Sequence, residues 1–116
     1  RKILTICWWG YGNESRDFIY VSDLVQAMNC VVENGKFDGS AINIANNEEI
    51  YIKDAASLFF DAINWPGSFG FSGEHRAGDP INWVADISKL QSLGYQRTVS
   101  FKEGINKYAK WLQDLK

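Results

Sequence analysis

This sequence of 116 residues lacks several features that define whole classes of protein. No apolar run is long enough to span a bilayer, and no charged start leads through an apolar stretch to a small-residue cleavage site. The two cysteines, Cys7 and Cys30, are far apart and the chain has a single histidine. These absences argue against a membrane protein, a zinc site and a disulfide framework. We expect a cytoplasmic protein in which both cysteines are small buried hydrophobic residues.

Strong charge and compositional bias are absent too. The formal net charge is -2, with lysines and arginines scattered along the chain, and the hydrophobic and charged fractions are 46% and 22%. The even distribution argues against binding to nucleic acid or anionic membrane, and the composition is typical of a folded globular protein. We expect a single domain over residues 1–116. Any anionic ligand would have to be bound by a few individual lysine or arginine side chains.

Predicted strands and helices alternate along the chain. Aromatic and β-branched runs predict strands over residues 3–7, 18–21, 41–45 and 50–52, with a loop or edge strand around residues 69–71. Apolar residues at helical spacing predict helices over residues 22–35, 53–64 and 86–94 and from residue 100 onward. Ser22 is the expected N-cap of the first helix, and Ser100 with Glu103 forms a capping box for the last. The pattern favours an α/β or α+β fold with about four helices and several short strands.

Three segments carry long motifs. The first, residues 10–25, joins a glycine turn to Arg-Asp-Phe-Ile-Tyr-Val and Asp-Leu-Val. The second, residues 41–47, has the pattern of a strand and precedes a helix that opens at Ile52. The third begins with Arg-Ala-Gly-Asp-Pro at residues 76–80 and continues with Ala-Asp-Ile-Ser-Lys-Leu, Leu-Gly-Tyr and Ser-Phe-Lys-Glu-Gly-Ile. In this order they resemble the extended short-chain dehydrogenase/reductase family, the NAD-dependent nucleotide-sugar epimerases and dehydratases. The resemblance covers essentially the whole chain.

This resemblance implies a fold and a site. It implies the C-terminal, substrate-binding portion of such an enzyme, with incomplete Rossmann elements, of the kind used in making cell-surface polysaccharide. In the family, the arginines matching Arg16 and Arg76 contact the substrate diphosphate, and the acid matching Asp79 contacts the nucleoside ribose. A guanidinium suits a diphosphate because it offers a planar fork of donors and stays charged, and Gly78 lets the backbone approach a ligand. The implied partner is a nucleotide-diphosphate sugar, bound weakly.

Several of these residues have other interpretations. Arg16 beside Asp17, and Arg76 near two acids, also fit surface ion pairs. His75 fits a bystander better than a general base, while Asp17 and Asp23 fit a role in orienting backbone at the strand-to-helix passage better than contact with substrate. Four tryptophans fit core packing better than stacking on a nucleobase: Trp8, Trp9, Trp65 and Trp83.

The family's catalytic machinery is missing from this sequence. None of the five tyrosines is followed four residues later by lysine, and Gly10 and Gly12 precede a predicted strand, whereas the dinucleotide fingerprint precedes a helix. We therefore expect no catalytic residue, cofactor site or metal site in this chain, with NAD as the cofactor of the parent enzyme. Because the sequence begins at Arg1, at the edge of an apolar run, we expect it to be a piece of a longer protein.

Such a piece would leave surfaces uncovered. A chain with only part of the parent sheet exposes sheet edge and the apolar face of the helix after Ser22. Self-association, for example as a dimer, would cover them. The competing hypothesis is a stand-alone binding or interaction module that keeps the scaffold without enzymatic activity. The sequence leaves the identity of the sugar and nucleotide open.

Overall fold

The computed structural model describes residues 4–115 as a mixed α/β fold. Its elements, in chain order, are β1 (Thr5–Trp8), β2 (Ser15–Arg16), α1 (Val21–Asn34), β3 (Ile50–Tyr51), α2 (Ile52–Ala62), β4 (Ser68–Phe71), α3 (Ser88–Ser92) and α4 (Phe101–Asp114). The predicted fold class, with about four helices and several short strands, is confirmed. None of the helices within residues 4–115 is both long and apolar enough to cross a membrane.

The strands form two small sheets. β1 pairs in parallel with β4, from Thr5 opposite Ser68 to Trp8 opposite Phe71. β2 pairs antiparallel with β3. On its other side β2 meets residues 81–83, since the Ser15 amide donates to the Ile81 carbonyl at 2.9 Å and the Trp83 amide donates to the Ser15 carbonyl at 3.2 Å. Ser15 therefore lies between two chain segments and is fully buried.

A hydrophobic core lies between α1 and α3. Five buried residues form it, and we call them the core cluster: Ala27, Ala45, Ile87, Leu90 and Tyr95. Ala27 of α1 and Leu90 of α3 have no exposed surface at all. The Tyr95 hydroxyl lies 2.7 Å from the Asn46 side-chain oxygen and donates to it, so its burial leaves no polar atom without a partner.

Two aspartates organise the backbone around this core. The Asp23 carboxylate, in the first turn of α1, accepts hydrogen bonds from the Thr98 amide and hydroxyl and from the Val99 amide at 3.0 Å. Asp17 accepts from the amides of Asn46 and Asn47, each at 2.9 Å, and from a third amide in the segment before α3. Both aspartates bind backbone amides, as predicted, but the amides belong to distant segments and not to the strand-to-helix passage, so the predicted location is wrong.

The side of the molecule around α2 is packed with aromatic rings. The Phe60 ring lies 5.5 Å from that of Trp8, 4.9 Å from that of Phe69 and 5.8 Å from that of Trp65. Trp65 therefore packs against this aromatic cluster, as predicted. Trp8 stacks on Phe60 with one side of its ring but is 36% exposed, so its predicted core position is only partly correct. The same prediction is wrong for two other tryptophans, which are 70% and 59% exposed: Trp9 and Trp83.

Two predicted strands are not strands in the structure. Residues 18–20 belong to no strand, and α1 begins at Val21 with Tyr20 as its N-cap, so the prediction of Ser22 as the cap is wrong. Residues 41–45 form no strand either, although Ile42 and Ile44 pack against the core cluster. The alternation therefore correctly marked these two side chains as facing the core. Within residues 4–115, however, this segment has no hydrogen-bonded neighbouring strand.

Other local predictions fare unevenly. The Ser100 hydroxyl caps α4 by accepting from the Glu103 amide at 3.2 Å, as predicted, but the Glu103 carboxylate pairs with Lys107 at 2.9 Å. The predicted strand over residues 3–7 is β1, with residue 3 outside the described part. Cys30 is partly buried, whereas Cys7 is exposed, so its predicted burial is wrong. The short helix expected over residues 86–94 is confined to α3.

The molecule is a flat slab. Its radius of gyration is 17.0 Å and its principal extents are 57 × 37 × 18 Å, whereas a compact domain of this length has a radius near 13 Å. One side of α1 is apolar and 51–67% exposed. We call this the apolar face of α1: Val21, Val25, Met28 and Val32. The predicted exposure of this helix face is confirmed.

Candidate functional site

A cleft of about 540 Å³ brings the three predicted ligand residues together. Arg16 enters it from β2, and Arg76 and Asp79 enter it from a long loop after β4. Trp9, which directly follows β1, lines another wall. Residues that are far apart in sequence thus face one space.

The glycine turn between β1 and β2 forms the floor of the cleft. Gly10 and Gly12 adopt φ angles of 102° and 80°, in the left-handed region that favours glycine. The Glu14 carboxylate accepts from the Tyr11 amide at 2.9 Å and from the Gly12 amide at 2.8 Å. The hydrogen bond from the Tyr11 amide is the largest cause holding the pKa of Glu14 below its ordinary value, so this carboxylate stays ionised inside the turn.

This glycine turn does not fit the pyrophosphate of a dinucleotide. A phosphate cradle offers free amide donors at the N-terminus of a helix. Here the turn leads into β2, and two of its amides already bind the carboxylate of Glu14. A Cβ on Gly12 would lie 2.5 Å from the Phe71 ring, so the space beside this glycine is filled by the protein itself.

Arg16 is held in place by backbone carbonyls. Its Nη1 atom donates to the carbonyl of Ser15 at 2.7 Å, of Pro80 at 3.0 Å and of Ile81 at 3.4 Å. The ion pairs within residues 4–115 are Arg97–Glu48 and Lys107–Glu103, so the alternative of a surface ion pair at Arg16 or Arg76 is not observed. One edge of the Arg16 guanidinium binds the protein, and its remaining nitrogens make no hydrogen bond within the described residues.

Arg76 and Asp79 lie on a loop that is exposed throughout. We call residues 72–84, all of them exposed, the cleft loop. The Asp79 amide donates to the Arg76 carbonyl at 3.2 Å, and Gly78 has a φ of 91°, so a tight turn places the two side chains near each other. At its first end, the cleft loop joins the glycine turn through the Gly73 amide, which donates to the Gly10 carbonyl at 2.9 Å.

The charges in the cleft are mixed. Two arginines face three carboxylates and the imidazole of His75. Glu14 is already bonded to amides of its own turn, which leaves Glu74 and Asp79 as acceptors on the cleft loop. Guanidinium donors beside carboxylate acceptors suit a ligand that carries both anionic groups and hydroxyls.

Sequence reasoning missed part of the cleft. Glu14, Glu74 and the exposed ring of Trp9 line it, and none was predicted as a site residue. A signal for Trp9 was present, because successive residues of a strand point to opposite faces. Trp9 directly follows Trp8, whose ring stacks on Phe60, so the alternation favours a ring at Trp9 that faces away from the aromatic cluster, and Trp9 is 70% exposed.

Comparison with known proteins identifies relatives of this chain. The model of the NAD dependent epimerase/dehydratase family matches residues 1–45. A UDP-glucose epimerase of Bacillus subtilis, itself uncharacterised, is 35% identical over 99% of this chain and 36% of its own length. A GDP-L-fucose synthase of Arabidopsis thaliana is 32% identical over 89% of this chain and 31% of its own length. The chain thus spans about a third of the length of the curated relatives it matches.

A solved structure agrees with these relatives. The UDP-glucuronic acid 4-epimerase of Bacillus cereus, crystallised with a fluorinated UDP-glucuronic acid and NAD, superposes with a TM-score of 0.81. It is 31% identical, and the match covers 99% of this chain and 36% of that protein. Sequence motifs, family model and fold agree on what the chain is similar to, which is a portion, about a third in length, of proteins of the NAD-dependent epimerase/dehydratase family.

Proposed function

We propose that the cleft binds the diphosphate of a nucleotide sugar and that the chain is the substrate-binding, non-catalytic portion of an NAD-dependent epimerase or dehydratase. The observation that carries this proposal is the meeting of Arg16, Arg76 and Asp79 in one cleft of about 540 Å³. That volume falls in the range of small-molecule sites. The parent enzyme would use NAD in the cytoplasm to prepare sugars for cell-surface polysaccharide.

Each group in the cleft has a part in this proposal. The free edge of Arg16 and the unpaired guanidinium of Arg76 donate to phosphate oxygens. The Asp79 carboxylate accepts hydrogen bonds from the ribose hydroxyls. Trp9 offers an exposed ring on which a nucleobase stacks. The Bacillus cereus relative, crystallised with a UDP-sugar analogue, gives independent support for this ligand class.

Calorimetric titration with UDP-glucose, GDP-mannose and dTDP-glucose tests the proposal. We expect weak binding, with a Kd of about 1 mM, because one cleft wall is an exposed loop. The variant Arg76→Ala should weaken binding about tenfold, and Arg76→Lys should recover only part of the loss because an ammonium lacks the planar fork. Lys110→Ala, exposed on α4, is the matched control. The proposal fails if no sugar nucleotide binds or if Arg76→Ala binds as the unsubstituted chain does.

A second function, that of a self-associating interaction module, is favoured by the apolar face of α1. Its residues follow one another at intervals of four, three and four positions, the spacing of a coiled-coil seam. Ser22 and Asn29, which flank it, are uncharged, so two copies meet there without like-charge repulsion. The flatness of the slab leaves this face uncovered. We propose a second copy of the chain as its partner.

Light scattering at micromolar concentration tests self-association. We expect a dimer mass that falls to the monomer mass in Met28→Glu, since a carboxylate in the seam is costly to bury. Lys36→Glu, an exposed substitution just beyond α1, is the control for the added negative charge. A monomer mass for the unsubstituted chain would contradict this second function and leave the ligand proposal untouched.

A further inference from the structure

A buried hydroxyl links β2 to the cleft loop. Ser15 has no exposed surface, and its hydroxyl donates to the Glu49 carboxylate at 2.8 Å and to the Asn82 side-chain oxygen at 3.1 Å. A serine hydroxyl carries one proton, so the two acceptors share it. We call Ser15, Glu49 and Asn82 the latch. It lies where residues 81–83 run beside β2.

The latch holds the second end of the cleft loop. Beside it, the Ile81 carbonyl accepts from the Ser15 amide at 2.9 Å, and the carbonyls of Pro80 and Ile81 accept from Nη1 of Arg16. Asp79 immediately precedes these residues. The latch thus fixes the end of the cleft loop nearest to the turn that carries Arg76 and Asp79.

The middle of the cleft loop has no comparable support. Between Glu74 and Pro80, the hydrogen bond described is the internal one from the Asp79 amide to the Arg76 carbonyl. This stretch is exposed and makes no core contact, which is the profile of a segment that opens at low free-energy cost. The position of Arg76 relative to Arg16 therefore depends on the two ends of the loop.

We propose that Asn82, acting through the buried hydroxyl of Ser15, is a positioning residue that sets the distance between Arg16 and the Arg76–Asp79 turn. This inference rests on the proposed binding of a nucleotide-sugar diphosphate in the cleft. Neither Asn82 nor Ser15 lines the cleft, so neither touches the ligand. Both act on how Arg16 and the Arg76–Asp79 turn are placed relative to each other in the cleft.

The first experiment changes the charge of the latch. Asn82→Asp keeps the side-chain shape but places a second carboxylate against the Ser15 hydroxyl, where Glu49 already accepts the proton. The two carboxylates repel, the cleft loop loosens, and we expect the Kd for UDP-glucose to rise about fivefold. Adding Glu49→Gln to Asn82→Asp removes the repulsion and should restore the original Kd. Asn106→Asp, exposed on α4, is the control for added charge.

The second measurement does not depend on ligand. Trypsin cleaves after Arg76, and mass spectrometry follows that cut relative to the cut after Lys110 in α4. A loosened cleft loop should be cut about five times faster in Ser15→Ala and in Asn82→Asp, because proteolysis tracks the population of the open segment. Ser57→Ala, exposed on α2, should be cut at the original rate.

The two readouts separate the possible failures. A weaker Kd with faster cleavage, both restored by Glu49→Gln, supports the positioning role. Unchanged Kd and unchanged cleavage in Asn82→Asp overturn it. If the unsubstituted chain binds no sugar nucleotide and cleavage still accelerates, the proposed function fails while the latch stands as the support of the loop.

Discussion

The core cluster and the cleft differ in the surroundings of a charged side chain, since Asp23 beside the core cluster is buried and hydrogen-bonded, whereas Arg76 in the cleft is exposed. Around the core cluster, Asp23 is 1% exposed and its carboxylate binds three donors of one neighbouring segment. In the cleft, Arg76 is exposed and its side chain makes no hydrogen bond within the described residues. Because an unmet buried charge is costly and an exposed one is solvated, the first region sets the stability of the fold. The second is left available for a ligand.

The largest loss of folding stability should come from a substitution in the core cluster. Leu90→Ala removes a side chain that has no exposed surface and leaves a cavity, so we expect the free energy of unfolding to fall by about 3 kcal/mol. Leu115→Ala, at a position that is 63% exposed, should change it by less than about 0.5 kcal/mol. Urea denaturation measures both. Equal effects would mean that the two leucines are equally buried in solution.

The second-largest loss of stability should come from removing the charge of the Asp23 carboxylate. Asp23→Asn keeps the shape but replaces a charged acceptor of three hydrogen bonds, and we expect a loss of about 2 kcal/mol in the free energy of unfolding. Asp114→Asn, exposed at the end of α4, is the matched control and should leave stability unchanged. If the two variants unfold at the same urea concentration, Asp23 does not join α1 to the segment before α4.

The pH dependence of stability sharpens this point. Burial raises the pKa of Asp23, but hydrogen bonds from the Thr98 hydroxyl and from the amides of Val99 and Thr98 lower it by more, and the net result is a pKa below the ordinary value. The unfolded chain therefore binds the proton more readily than the folded chain. The contribution of Asp23 is full above about pH 4 and is lost as pH falls through the folded pKa. Acid titration should show this loss in the unsubstituted chain and a smaller one in Asp23→Asn.

A pair of glycines measures how tightly the turn between β1 and β2 is packed against Phe71. Gly12 and Gly39 share a φ of 80°, but a Cβ at Gly12 would meet Phe71 at 2.5 Å while one at Gly39 meets nothing within 4 Å. Gly39→Ala should cost about 1 kcal/mol for its backbone alone. Gly12→Ala should cost about 1 kcal/mol more, because the rigid ring must move. Equal unfolding midpoints would show that Phe71 does not press on the turn.

The smallest effect on stability should come from the cleft loop. Arg76→Ala should change the free energy of unfolding by less than about 0.5 kcal/mol, because the side chain is exposed and unpaired. The same variant is expected to weaken ligand binding, so affinity and stability separate at this residue. A loss of stability comparable to that of Asp23→Asn would place Arg76 among the residues that hold the fold.

Sequence predicted best where the interactions are local. The cap of α4 depends on Ser100 and an amide three residues later, and the prediction from those residues is confirmed. The strand over residues 41–45 failed because a strand needs a partner whose position no local pattern gives. In the cleft, Arg16 and Arg76 were predicted from the resemblance to a family and not from a local pattern. The latch at Ser15 depends on a contact across 67 residues and had no signal in the sequence.

Those long separations bear on how the chain folds. The side chains of Thr5 and Ser68 meet across 63 residues, and Asp23 meets Val99 across 76. Contacts of this range close large loops of disordered chain before they stabilise anything, which slows folding. During synthesis, β1 can pair only after β4 has been made, and the first turn of α1 can bind the segment before α4 only after that segment has been made. A chain cut short before residue 99 would therefore lack the amide of Val99 that binds Asp23, and α1 would lose its link to the segment before α4.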